Sequence, residues 1–190
     1  MKGAESRRRM ANQIRDWSND YTETYGGSPY LADFMLTTAF RESNFNPDVD
    51  AWDTGVETKN RENSARGLFG MRPITALKDA FGQVDSDVLL DPATSFVLAI
   101  RHIQQARNYG ATDWASIRRY WGYPSKADEP TGTWSKQSRR KFERAVADAN
   151  RAYGLNIDVG FLDQPYGVGG YPGTKQMIER YGAYPIAGVL

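Results

Sequence analysis

The residues best suited to chemistry lie in the stretch Thr37-Thr38-Ala39-Phe40-Arg41-Glu42-Ser43-Asn44-Phe45-Asn46-Pro47. An apolar helical run ends there in a carboxylate, and Ser-Asn-Phe-Asn-Pro cannot continue the helix. Leu31, Met35, Thr38 and Glu42 share one stripe at helical spacing, with Phe34 beside it, so Glu42 runs along core side chains. Partial burial disfavours the ionised form of a carboxylate, and the negative end of a helix acts in the same sense. Arg41 works against both, although adjacent helical residues do not face each other. A carboxylic acid that keeps its proton near neutral pH can protonate a leaving oxygen, as glycosidic-bond cleavage requires. Taken alone, the same features also describe an ordinary helix-end glutamate paired with an arginine.

Other chemistries find less support. His102 is the single histidine, and its helix is rich in core residues, so it reads as a packed imidazole. With no cysteine there is no disulfide, thiol nucleophile or thiolate site, and one histidine makes no convincing zinc centre. No Gly-rich phosphate loop follows a strand, which leaves nucleotide binding unsupported. No metal and no cofactor are expected. A formal net charge of +1 predicts no strong attraction to nucleic acid or to anionic membranes, and Arg7-Arg8-Arg9 reads as a solvated helix end. No apolar run reaches the length of a membrane-spanning helix, so no membrane insertion is expected. The charged N-terminus lacks the apolar region of a secretory signal. Five Trp and eleven Tyr exceed the needs of a core this size, which fits a groove lined by flat side chains or exposed tyrosines in the tail.

The elements that must position these residues are mostly helical. Met10, Ile14, Trp17 and Tyr21 predict an amphipathic helix from about Ala4 to Tyr25, stopped by Gly26-Gly27. Ser28 and Pro29 are suited to cap and start the helix that carries Glu42. From Asn46 to Arg66 no helical period is visible, and Asp, Asn and Gly are frequent, which predicts a long loop or a small irregular hairpin. The glycines of Gly67-Leu68-Phe69-Gly70-Met71 allow a close backbone approach. Pro73 opens a short helix that stops at Gly82. Further helices are expected from Asp91-Pro92 to Tyr109-Gly110, from Asp113 to Gly122 and from Ser135 to Gly154, with a polar loop between Pro124 and Trp134. Residues 155–190 form an extension rich in Gly, Pro and Tyr, with one short helix at Thr174 to Tyr181. The apolar content of this extension favours docking over disorder. The expected organisation is one predominantly α domain over 1–154, with an extension over 155–190.

Three motifs in order carry a resemblance. Glu42-Ser43-Asn44-Phe45-Asn46-Pro47, then Ser64-Ala65-Arg66-Gly67-Leu68-Phe69-Gly70-Met71-Arg72-Pro73-Ile74-Thr75-Ala76, then Ile117-Arg118-Arg119-Tyr120-Trp121-Gly122 resemble the lysozyme-like lytic transglycosylases. That group includes the soluble lytic transglycosylases, the goose-type lysozymes and domains of bacteriophage particles. The resemblance spans about residues 28–122. It implies a lysozyme-like α+β fold and cleavage of the β-1,4 bond between N-acetylmuramic acid and N-acetylglucosamine in peptidoglycan strands. Glu42 matches the family's catalytic acid, which protonates the leaving oxygen and then acts as base while the muramoyl 6-hydroxyl closes an anhydro ring. Ser43, Tyr120 and the backbone of Gly67, Leu68 and Phe69 match positions that bind the sugar or orient the glutamate.

This sequence departs from the family in two places. Where the family has Gly-Leu-Met-Gln, it reads Gly67-Leu68-Phe69-Gly70, so a sugar-contacting amide is missing. The segment between Glu42 and that turn is also longer, and the extra material from Trp52 to Arg61 fits a lid, a subsite or a surface insertion. A hydrolytic lysozyme needs a second carboxylate to activate water, and Asp48, Asp50, Asp53, Glu57 and Glu62 lie on the loop that could present it. Three readings follow: a lytic transglycosylase, a hydrolytic lysozyme, or a structural or interaction module of a virion with weak or no catalysis. An extracytoplasmic substrate without a secretory signal points to a phage protein. Such a protein would be held in the particle or the host cytoplasm before delivery to the wall, with 155–190 available to other virion proteins.

Overall fold

A computed structural model describes residues 2–50, 64–73, 76–77, 81, 85–122, 136–167 and 169–186. Among them helix predominates and no strand forms. The α-helices are α1 (Lys2–Tyr25), α2 (Leu31–Ser43), α3 (Pro92–Asn108), α4 (Trp114–Gly122), α5 (Lys136–Tyr153) and α6 (Thr174–Tyr181). None of the described helices is long and apolar enough to cross a membrane.

Local chemistry accounts for the boundaries. The Asp91 carboxylate accepts from the Thr94 amide at 2.8 Å, and Pro92 sits at the first position of α3, where its missing N–H costs nothing. Asp113 does the same for α4, accepting from the Ser116 amide at 2.7 Å. Gly26, Gly154 and Gly182 follow α1, α5 and α6 with positive φ, the usual glycine ending. The start of α2 differs from the expectation. Ser28 accepts from the Tyr30 amide at 3.3 Å, but Pro29 and Tyr30 form a turn and the helix begins at Leu31. The serine therefore shapes the approach to the helix.

Two 3-10 turns were not signalled by periodicity. Ser86–Leu90 and Val159–Asp163 are each opened by an aspartate whose carboxylate accepts a backbone amide two residues on, Asp85 from Asp87 and Asp158 from Gly160. Much of the helix expected from Pro73 to Gly82, and the loop from Pro124 to Trp134, lie outside the described residues. Around the predicted hairpin, isolated antiparallel bridges pair Asp50 with Arg66 and Arg66 with Met71.

The chain divides into two compact units. One comprises Met1–Met10, Glu42–Arg101 and Pro172–Leu190. Its core includes Phe45, Leu68, Phe69, Leu89, Phe96, Val97, Met177 and Ile186, all buried. Here the end of the tail packs on α3: Tyr181 meets Phe96 edge-on at 5.2 Å, and the Tyr184 amide donates to the Thr94 hydroxyl at 2.7 Å. The other unit comprises Ala11–Arg41 and His102–Tyr171. Trp114 is fully buried there, 4.8 Å from both Phe34 and Tyr166, and Phe161 meets Phe34, Trp114 and Phe142 edge-on. Arg107 lies over the Tyr166 ring at 4.5 Å and donates to the Gly169 carbonyl at 3.0 Å. The 155–190 segment is thus shared between the units, with Leu155, Ile157, Phe161, Leu162 and Tyr166 buried in one and Met177, Ile178, Ala183 and Ile186 buried in the other.

Candidate functional site

Glu42 occupies the last turn of α2 and is half-buried, as its stripe requires: Leu31, Met35 and Thr38 beneath it are fully buried. The helix stops one residue later. The Asn46 amide donates back to the Ser43 carbonyl at 3.1 Å, across Asn44 and Phe45 with φ of +52° and +60°. Asparagine tolerates this left-handed region, but a phenylalanine there is a real outlier. Burial of the Phe45 ring holds the strained conformation in place. Two left-handed residues in succession turn the chain sharply away and leave half-buried Glu42 in the last turn of the helix.

The segment Gly67-Leu68-Phe69-Gly70 is the turn that faces this helix end. Arg66 and Met71 close it with a reciprocal pair of backbone hydrogen bonds, each 3.0 Å, and the Gly70 amide donates to the Gly67 carbonyl at 3.2 Å. Ser43 ties it to α2, its hydroxyl donating to the Leu68 carbonyl at 2.9 Å. The Gly67 amide donates to the Val49 carbonyl at 2.8 Å. Leu68 and Phe69 are fully buried and anchor the turn in the core of this unit.

Both glycines make the close approaches that the sequence suggested, and both partners belong to the chain itself. Gly67 has φ +70°, and a β-carbon on it would stand 2.0 Å from the Leu89 carbonyl oxygen in the Ser86–Leu90 turn. Gly70 has φ +59°, and a β-carbon there would lie 2.9 Å from Oε2 of Glu42 and 3.0 Å from its Cβ. The turn is wedged between the second 67–70 glycine contact, on the acid, and the first, on the 3-10 turn.

Arg66 supports the base of the turn. It is buried and donates to the Asp50 carboxylate at 2.6 Å, to Asp87 at 2.7 Å and to the Ser86 hydroxyl. Burial alone would lower its pKa, but the hydrogen bonds with Asp87 and Asp50 outweigh it, and the guanidinium is held above its ordinary value. The motif that contains Arg66 assigns it no role. The signal available was weak: an arginine next to the turn, with acidic residues on both flanking loops.

The structure therefore brings Glu42, Ser43, Gly67, Leu68 and Phe69 together in one unit. Tyr120 belongs to the other unit, where it is buried against His102 at 4.8 Å and stacks with the exposed Tyr109 at 5.7 Å. Among the loop carboxylates, Asp50 is buried in the ion pair with Arg66, whose neighbouring guanidinium compensates its charge. Asp48 is exposed. Asp53, Glu57 and Glu62 lie outside the described residues, as does the Trp52 to Arg61 insertion. Compared with protein-family models, curated proteins and solved structures, the chain matches none.

Proposed function

We propose that this chain is a peptidoglycan lytic transglycosylase with Glu42 as its acid and base. The observation that carries the reading is the seat of Glu42: a half-buried carboxylate ending a helix, packed on a left-handed turn that Ser43 fastens to the same helix end. In this mechanism the protonated Glu42 delivers its proton to the oxygen leaving N-acetylmuramic acid. The resulting carboxylate then takes the proton of the muramoyl 6-hydroxyl as that oxygen bonds to the anomeric carbon and closes the anhydro ring. No water-activating carboxylate takes part. The commitment of Asp50 to Arg66 favours this route over the hydrolytic one. Ser43 serves by holding the turn. Tyr120 enters the proposal as a sugar-binding residue on its motif alone.

Glu42→Gln keeps size and packing and removes the transferable proton. It is expected to fold normally and to clear no peptidoglycan in a zymogram; undiminished clearing by the variant excludes Glu42 as the acid. Products ending in anhydro-muramic acid mark the transglycosylase, and reducing ends alone mark a hydrolase. One observation favours a second reading, a virion or interaction module with little catalysis: Gly70 offers no side chain to a sugar. An inactive wild-type zymogram, together with detection of the protein in purified particles by mass spectrometry, selects that reading. Association with other virion proteins through 155–190 belongs to the same test.

A further inference from the structure

The two glycines of the 67–70 turn meet very different neighbours. Gly67 presses on a backbone carbonyl in the core of the unit, where any side chain is excluded for the sake of the fold. Gly70 presses along the side chain of Glu42, within 2.9 Å of Oε2, 3.0 Å of Cβ and 3.3 Å of Cγ as judged from the place of an absent β-carbon. We propose that Gly70 is a positioning residue for Glu42: its bare α-carbon forms the wall against which the acid lies, and any β-carbon displaces the carboxyl. The inference rests on the transglycosylase reading for its consequence in rate, but not for the geometry itself.

The geometry follows from constraints on both sides of the contact. The turn cannot recede, because Gly67 is already against Leu89 and Leu68 is held by Ser43. A new β-carbon meets Oε2 and Cγ of Glu42, which clear it by rotation of the Glu42 side chain, and Cβ, which rotation does not move and which must yield by a few tenths of an ångström. At this φ and at this distance from the acid, a side chain at position 70 competes with the carboxyl for the same space.

The test separates collision from backbone strain. Gly70→Ala brings both, whereas Gly70→Asn brings the β-carbon but tolerates the left-handed conformation. Both variants of the full chain are compared with wild type for thermal unfolding and for kcat and KM on purified peptidoglycan. The expected result is a lower unfolding temperature for Gly70→Ala than for Gly70→Asn. In both, kcat falls by about 100-fold, the order expected for a misplaced reacting group, while KM is unchanged. Gly70→Asn with wild-type kcat overturns the proposal. Loss of fold in both variants also overturns it, since the glycine then serves the turn and not the acid. An inactive wild type defeats the transglycosylase reading, and the positioning is then decided by the 13C resonance of the Glu42 carboxyl. A shift of that resonance in Gly70→Asn supports the proposal, and an unmoved one overturns it.

Discussion

Arg66 illustrates at the residue scale how charge is kept inside the protein. Its guanidinium meets two carboxylates of contrasting exposure: the Asp50 side chain is 3% exposed and that of Asp87 is 70% exposed. Removing one member of a buried pair strands the other charge in a poorly polarisable interior, at a cost of about 3–5 kcal/mol. A pair open to water is worth about 0–1 kcal/mol. Asp50→Asn is therefore expected to lower stability by several times more than Asp87→Asn, measured by urea unfolding. Similar losses for both would mean that burial does not govern the cluster. The Asp50–Arg66 pairing joins residues separated by the long loop, which no local pattern in the sequence announces. Glu42 is the opposite case, since helical spacing alone placed it on a buried stripe.

At the scale of the element, α2 carries an electrostatic burden near its start. Asp33, in the first turn, has its pKa raised from 3.8 to about 6 by burial, with Asp158 adding to the effect and Arg15 opposing it. The folded chain thus holds this proton more tightly than the unfolded chain does. The contribution favours folding below the unfolded value and is lost as pH rises through the folded one. Wild-type stability should fall through this group between about pH 4 and 6. Asp33→Asn removes the titration and should gain stability relative to wild type at pH 7 but not at pH 4, read by chemical denaturation at the two values. An equal difference at both pH values would refute the assignment. Helix existence was legible here from periodicity, whereas the start of α2 was not, because Ser28 bonds within a turn that precedes it.

For the molecule as a whole, the tail is the informative part. Sequence composition set 155–190 apart as an extension, and its apolar residues suggested docking. Phe161, Leu162 and Tyr166 are buried in the unit of Ala11–Arg41 and His102–Tyr171, while Met177 and Ile178 are buried in the other. Each such side chain contributes about 1.5–3 kcal/mol by leaving water. Together they approach the ~5–15 kcal/mol that holds a domain folded. Truncation after Gly154 is therefore expected to abolish cooperative thermal unfolding in both units. A truncated chain with the wild-type transition would show the tail to be dispensable.

The sequence by itself determined where the described α-helices lie, which faces they bury and where a carboxylate ends a buried stripe. Those properties depend on residues three or four positions apart, and spacing reports them directly. It also marked Gly67 and Gly70 as points of close approach without naming their partners. Only the tertiary structure decided that Gly67 abuts Leu89, that Gly70 abuts Glu42, and that Arg66 takes Asp50 out of solution. Each is a contact between residues distant in the chain, set by how the turn at 67–70 is wedged against the end of α2. A glycine records that something must come close; only the folded chain says what does.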